Sequence, residues 1–257
     1  MNTETMSLPK ARYQVELVKE GRSRFYRAWG EGWERKLQGT TGISGMMDDG
    51  KSYGFAKSAA CITAGEIRSR LMRFGAEPVI LEPDVVDAIC GGAEKAYQQV
   101  WGSKRDRGTD YHAMLEARIK GTPCEFTEDF EEIWTALEAK LRLEGVDLVA
   151  AEVPAASLNY GFATKMDGVG RMMGDWGVCD WKFAKMINAE HFFQVGGGSA
   201  QAFTETYEAV AKWAKVFRWD FDGKFWEVKT VNNTQAALRG LLALRDVKSI
   251  VEGDLYV

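Results

Sequence analysis

The sequence predicts an α/β protein: a central mixed β-sheet flanked by helices, with a helical elaboration on its N-terminal side. Two observations lead there. The stretch Tyr160 to Lys185, YGFATKMDGVGRMMGDWGVCDWKFAK, reads as two apolar-rich strands joined by a loop. Around it lie amphipathic segments at helical spacing, including Pro83 to Trp101 and Thr127 to Glu144. At 257 residues and 46% hydrophobic, the chain can bury a substantial core, and no repeat, low-complexity tract or linker divides it. The expected organisation is one domain over 1–257, with the elaboration over 1–105 and a core over 106–257.

Composition narrows the function classes. No run approaches the roughly 18 apolar residues of a membrane span, and the start MNTETMSLPKARYQ lacks a secretory core, so a cytoplasmic protein without membrane partners is expected. Cys61, Cys90, Cys124 and Cys179 form no CxxC pair, so they read as reduced thiols and not as a disulfide frame, a zinc site or an iron–sulfur site. Net charge is −4 with pI about 5.5, which counts against a polyanionic partner unless basic residues cluster locally.

In chain order, Tyr13 to Val18 and Arg24 to Trp29 read as a short strand pair, its basic and aromatic residues on a solvated face. A helix capped near Asp48-Asp49 runs to Arg73, and the helix Pro83 to Trp101 follows. The loop Gly102 to Gly108 carries Lys104, Arg105 and Arg107, and reads equally as a phosphate-contacting loop or a solvated connector. Thr109 starts a helix over Asp110 to Lys120, on which His112 and Glu116, four apart, share a face. A lone histidine is more often packed or superficial; this one precedes the strand unit and is a candidate wall for a metal site. Phe130, Ile133, Trp134, Leu137 and Leu141 form the buried stripe of the next helix. Leu148 to Val153 is a strand that places Glu152 beside the hairpin. Phe162 to Val169 and Gly177 to Phe183 are the hairpin strands, with Arg171 to Trp176 as the loop. Gly196 to Gly198 reads as a flexible break, and Ser199 to Val216 as a helix. A second hairpin turns at Asp222-Gly223, and Asn233 caps a last helix over Thr234 to Val251.

The chemistry rests on the first hairpin. Side chains alternate faces along a strand, so Asp180 and Lys182 point one way while Cys179 and Trp181 point the other. If the strands pair, Asp167 lies close to Asp180. Two converging carboxylates repel and cost desolvation energy, so a fold keeps them together mainly to hold a cation. Oxygen ligands favour Mg²⁺ or Mn²⁺ over zinc, and a neighbouring lysine orients or deprotonates water, or neutralises charge on a phosphate. A carboxylate two residues before a lysine is by itself common: it occurs seven times, starting at Glu34, Asp49, Glu138, Asp180, Asp222, Glu227 and Asp246. The six other than Asp180 read as ordinary solvated pairs. Asp180 differs because an apolar strand bearing a second aspartate precedes it; the nearest rival is Glu227-Val228-Lys229 with Asp220 and Asp222 upstream.

Four blocks in this order resemble the PD-(D/E)xK nuclease superfamily, and within it the RecB-like branch that includes the mitochondrial genome maintenance exonuclease and many phage exonucleases. They are TTGISGMMDDGKSYGFAKSAA, RGTDYHAMLEARIKG, FATKMDGVG and VCDWKFAK, spanning residues 40 to 185. The resemblance implies a restriction-endonuclease-like core and a Mg²⁺- or Mn²⁺-dependent deoxyribonuclease, an exonuclease of phage-type recombination, repair or degradation. It implies DNA with a free end as substrate, single- or double-stranded, with a further copy of the chain or a single-strand annealing or binding protein as candidate partners. Residue by residue, Asp167, Asp180 and the Trp181 carbonyl would ligate the metal, His112 would complete the site and Lys182 would orient the attacking water. Lys185 would touch phosphate, with Lys165, Lys104, Arg105 and Arg107 as further DNA contacts. Glu116, Glu152, Gln201 and Tyr207 are candidate supporting residues. The pattern departs from the family at Thr164-Lys165, where glycine is usual, and at Phe203, where glutamine is usual. The cysteine cluster of iron–sulfur relatives has no counterpart, so that cofactor is not expected. Two alternatives stay open: a non-catalytic DNA-binding or assembly protein on the same fold, and an endonuclease or other phosphate-ester hydrolase using the same site.

Overall fold

Strand β5, Phe162–Met172, is the seam of the molecule because it pairs with three other strands. The computed structural model describes residues 7–20, 23–44 and 107–253. The chain divides into two compact units, Met1–Met47 with Tyr111–Val257, and Asp48–Asp110; the architecture below is that of the first. The helices expected between Asp48 and Trp101 lie outside the described residues.

Among the described residues, eight strands form one mixed sheet in the order β1-β2-β3-β5-β6-β7-β8, with β4 also on β5. β1 (Gln14–Glu20), β2 (Ser23–Gly30) and β3 (Trp33–Gly39) make an antiparallel meander. β1 and β2 are the strand pair expected over Tyr13 to Val18 and Arg24 to Trp29, and β3 adds a third strand to the described part of the N-terminal elaboration. The sequence gives no sign of β3, because WERKLQG buries only Leu37 and so shows no alternation. β3 then pairs parallel to the start of β5, Gln38 to Phe162 and Gly39 to Ala163.

β4 (Val146–Ser157) runs antiparallel along the whole of β5. β6 (Asp175–Lys182) pairs antiparallel with the far half of β5, from Met172 opposite Asp175 to Gly168 opposite Cys179. The ladder thus closes through most of the stretch predicted as a loop. Only Met173 and Gly174 form the turn, both in the left-handed region at φ 53° and 88°, as a two-residue hairpin whose twist matches its strands requires.

β7 (Trp213–Asp220) pairs parallel with β6, and β8 (Phe225–Thr230) antiparallel with β7. The predicted helix Ser199 to Val216 is thereby corrected. The chain is helical from Ala189 to Thr206, then forms β7. Residues 213–219 are all buried, Lys215 and Arg218 among them, so this strand, covered on both faces, carries neither a helical nor a strand period. The expected flexible break at Gly196 to Gly198 is corrected too: Phe193–Ser199 is a π-helical segment and its glycines are buried. A Cβ on Gly197 would stand 2.6 Å from the Ala237 carbonyl oxygen, so the C-terminal helix, Thr234–Gly253, packs onto bare backbone.

Helices cover both faces. On one, Val178, Val195, Phe203, Val216, Leu238 and Leu241 form a core between the sheet and the helical segments after β6. On the other, Trp181 and Phe217 pack with Leu115 of the helix over 107–120, and with Phe130, Ile133 and Leu137 of the helix Glu128–Glu144. Among the described residues, no helix is long and apolar enough to cross a membrane.

Candidate active site

The site occupies a fork. On one edge of β5, Phe162 and Ala163 face β3 and Gly168 onward face β6. Between them, residues 164–167 have no strand partner on that edge. Thr164 fills part of the gap by a 3.0 Å hydroxyl–hydroxyl bond to Thr40, in the short helix that follows β3. Asp167 fills the rest.

Gly168 opposite Cys179 is the last rung of the hairpin, which leaves Asp167 and Asp180 facing each other as the strands part. Alternation holds as predicted: Cys179 and Trp181 enter the core at 1% exposure each, while Asp180 and Lys182 face the fork. The Trp181 N–H donates to Asp167 Oδ2 at 2.9 Å, tying the parted strands through one carboxylate. His112 Nδ1, from the helix over 107–120, lies 3.5 Å from the same oxygen. Lys182 Nζ stands 2.7 Å from Asp180 Oδ2, yet this buried oxygen accepts no hydrogen bond of good geometry.

Glu152 is more central than the sequence suggested. It lies between the pairs Ala151–Gly168 and Val153–Met166 of the β4–β5 ladder, opposite Asp167. Its φ is 54°, a left-handed conformation that costs a non-glycine residue about 1–2 kcal/mol. A register shift at Leu148/Ala150 immediately precedes it; such bulges re-aim side chains. The result is a third carboxylate at the fork. Ligand atoms of His112, Glu152 and Asp167 all lie within 4.8 Å of one another, and Lys165 pairs with Glu152. The sequence carried no signal for this bend, because VDLVAAEVPAAS contains no glycine or asparagine to mark it.

Three carboxylates against two ammonium groups leave the fork net negative. Burial pushes Asp167 and Asp180 up to about 6, against the pull of Lys182. Burial opposes charge on Lys182 as well, but Asp180 and Asp167 outweigh it and raise the ammonium above its ordinary range. Lys182 is therefore a donor at neutral pH and not a base. His112 is lowered, by burial first and then by Lys182, so its imidazole is neutral and free to ligate. A hard divalent cation fits this donor set of carboxylates plus one neutral imidazole.

Other predicted residues lie elsewhere. Glu116 is in an exposed pair with Lys120 at 2.6 Å. Gln201 donates to Glu205 at 2.7 Å, and Glu205 also accepts from Ser157, five residues along β4 from Glu152. Tyr207 is buried and donates to the Pro154 carbonyl at 3.3 Å. Lys185 is exposed just beyond β6, and Arg107 is exposed at the start of its helix; Lys104 and Arg105 lie outside the described residues. The rival cluster is accounted for differently: Arg218 holds both Glu227 and Asp220, and Asp220 accepts the Asp222 and Gly223 N–H groups of an ordinary turn. The second histidine, His191, accepts the Asn188 N–H at 3.1 Å in a capping box.

No family model matches the chain, and no curated protein matches it. Two solved structures are similar to it in part. The crystal structure of LHK-Exo in complex with dAMP is 17% identical over 57% of this chain and 86% of that one, at a TM-score of 0.28. That of the alkaline exonuclease LHK-Exo from Laribacter hongkongensis is 15% identical over 56% and 82%, at 0.25.

Proposed function

We propose that this chain is a divalent-metal-dependent deoxyribonuclease, acting as an exonuclease on DNA with a free end. The observation that carries the reading is the convergence of His112, Glu152 and Asp167 within ligand distance, with Asp180 and Lys182 on the adjoining strand. Such a set costs more desolvation and repulsion than its internal bonds require, so holding a cation is its best physical account. His112, Glu152, Asp167 and Asp180 would hold Mg²⁺ or Mn²⁺, with the Trp181 carbonyl as a further ligand. Bound there, the ion supplies Lewis-acid polarisation of the phosphate and lowers the pKa of water.

The chain's own groups do the rest. Lys182, protonated and aimed into the fork, donates to the attacking water or to a non-bridging phosphate oxygen and offsets the charge that develops there. Neutral His112 fixes one side of the fork, and Lys165 and the exposed Lys185 offer phosphate contacts. As the water oxygen bonds to phosphorus and releases its proton to solvent, the ester P–O bond breaks and the leaving oxygen takes a proton from solvent. Residues 106–257 hold all of these groups and form the catalytic part of a single nuclease chain working on cytoplasmic DNA, as in phage recombination.

End-labelled linear DNA and covalently closed DNA, with Mg²⁺, Mn²⁺ or EDTA, test the reading against Asp180→Asn. Cleavage of linear DNA alone is expected, abolished by EDTA and lowered at least a hundredfold by the substitution. Cutting of closed circles would make the enzyme an endonuclease on the same site. Binding without cleavage under every condition would leave a non-catalytic DNA-binding protein.

A further inference from the structure

Arg218 stands beside Lys182 as its partner in the parallel β6–β7 ladder. Neighbours in a parallel pair project to the same side of the sheet, so the guanidinium emerges on the face of the fork. Its hydrogen bonds go to groups other than the fork's carboxylates. Its Nη1 donates to the Lys185 carbonyl at 3.0 Å and toward the Ala184 carbonyl at 3.4 Å. Its Nε donates to Glu227 Oε2 and its Nη2 to Asp220 Oδ2, both at 2.7 Å. With 10% of its side chain exposed, Arg218 uses every face of its fork.

The segment it grips has no strand or helix of its own. β6 ends at Lys182 and the next helix begins at Ala189. Lys185 lies in this connection with its side chain in solvent. Two carboxylates on β7 and β8 thus hold the guanidinium, and the guanidinium holds the main chain under Lys185. Only a planar group with five donors can bind two carbonyls and two carboxylates at once; lysine cannot.

We propose that Arg218 is a positioning residue for DNA binding, acting through Lys185: it fixes the 183–188 connection so that the Lys185 ammonium meets a substrate phosphate beside the fork. This rests on the nuclease reading above and adds to it a residue that never touches the substrate.

The test is a double-mutant cycle read by fluorescence anisotropy of a labelled oligonucleotide in EDTA, across a salt series, on the full chain. A single lost phosphate contact lowers the slope of log affinity against log salt by about one. Lys185→Ala and Arg218→Lys should each lower it by about that amount, and the double variant by no more than either alone. A double variant that loses about two, or an Arg218→Lys protein with the wild-type slope, overturns the proposal. So does a wild-type slope in Lys185→Ala. Arg218→Gln, too short to reach the carbonyls, is the second variant should Arg218→Lys melt below the assay temperature, and is held to the same outcomes. Wild-type protein that binds no DNA at all removes the nuclease reading and this proposal together, whereas binding with additive effects removes the proposal alone.

Discussion

Asp167 and Asp180 hold their carboxyls at about 6, above the ordinary 3.8, because burial disfavours their charge. The folded chain therefore keeps protons that the unfolded chain has released between about pH 4 and pH 6. The sign follows: without metal, these two groups contribute most stability at the acid end of that window, lose it as pH rises to about 6, and stay at the lower level above. Asp167→Asn keeps an acceptor for the Trp181 N–H and cannot ionise. Thermal melts in EDTA should show the variant and wild type together near pH 4, and the variant higher by a few degrees above pH 7. A variant that melts lower at pH 8 would mean that Lys182 more than offsets the burial of Asp167.

Elements with a clear period were legible in the sequence, and those without one were not. The first hairpin's turn is shorter than the loop the sequence suggests, but the stripe of the helix Glu128–Glu144 and the turn at Asp222-Gly223 were readable because local chemistry determines them. So was the alternation that separates Asp180 and Lys182 from Cys179 and Trp181. β7 was lost because tertiary burial on both faces erases alternation, and the Glu152 bend because the fold imposes a backbone conformation that the residue disfavours. Gly196 to Gly198 read as slack because glycine marks a break and a close approach equally well; only the neighbour decides. Gly197→Ala tests that packing. With Ala237 backbone atoms at 2.6 and 2.7 Å from the added carbon, the C-terminal helix must shift, at a cost of about 1–3 kcal/mol. Chemical denaturation should show that loss, and a wild-type midpoint would show that the contact yields freely.

At the scale of the whole molecule, the described N-terminal strands belong to the same sheet as the fork. β3 pairs with the start of β5, Thr40 bonds Thr164, and Val15, Ala28 and Leu37 pack against Ala156 and Ala163. A fragment that begins at residue 106 would hold every proposed ligand yet expose that seam. It should lack a cooperative melt and give no dispersed amide spectrum, even though the catalytic groups all fall within it. A folded, metal-binding fragment would instead show that β1 to β3 are an appendage.

The Met173-Gly174 turn closes the hairpin at the end away from the fork, with Met173 97% exposed. Five rungs of ladder lie between Asp167 and Met173, which puts them about 20 Å apart at the rise of an antiparallel strand. The hairpin is thus a ruler with one end in the chemistry and the other in water. A reporter group attached at 173 would share a rigid ladder with Asp167 and Asp180 without crowding either. Chain grafted there should leave the spacing of the two carboxylates as it is, since the rungs and not the turn determine it.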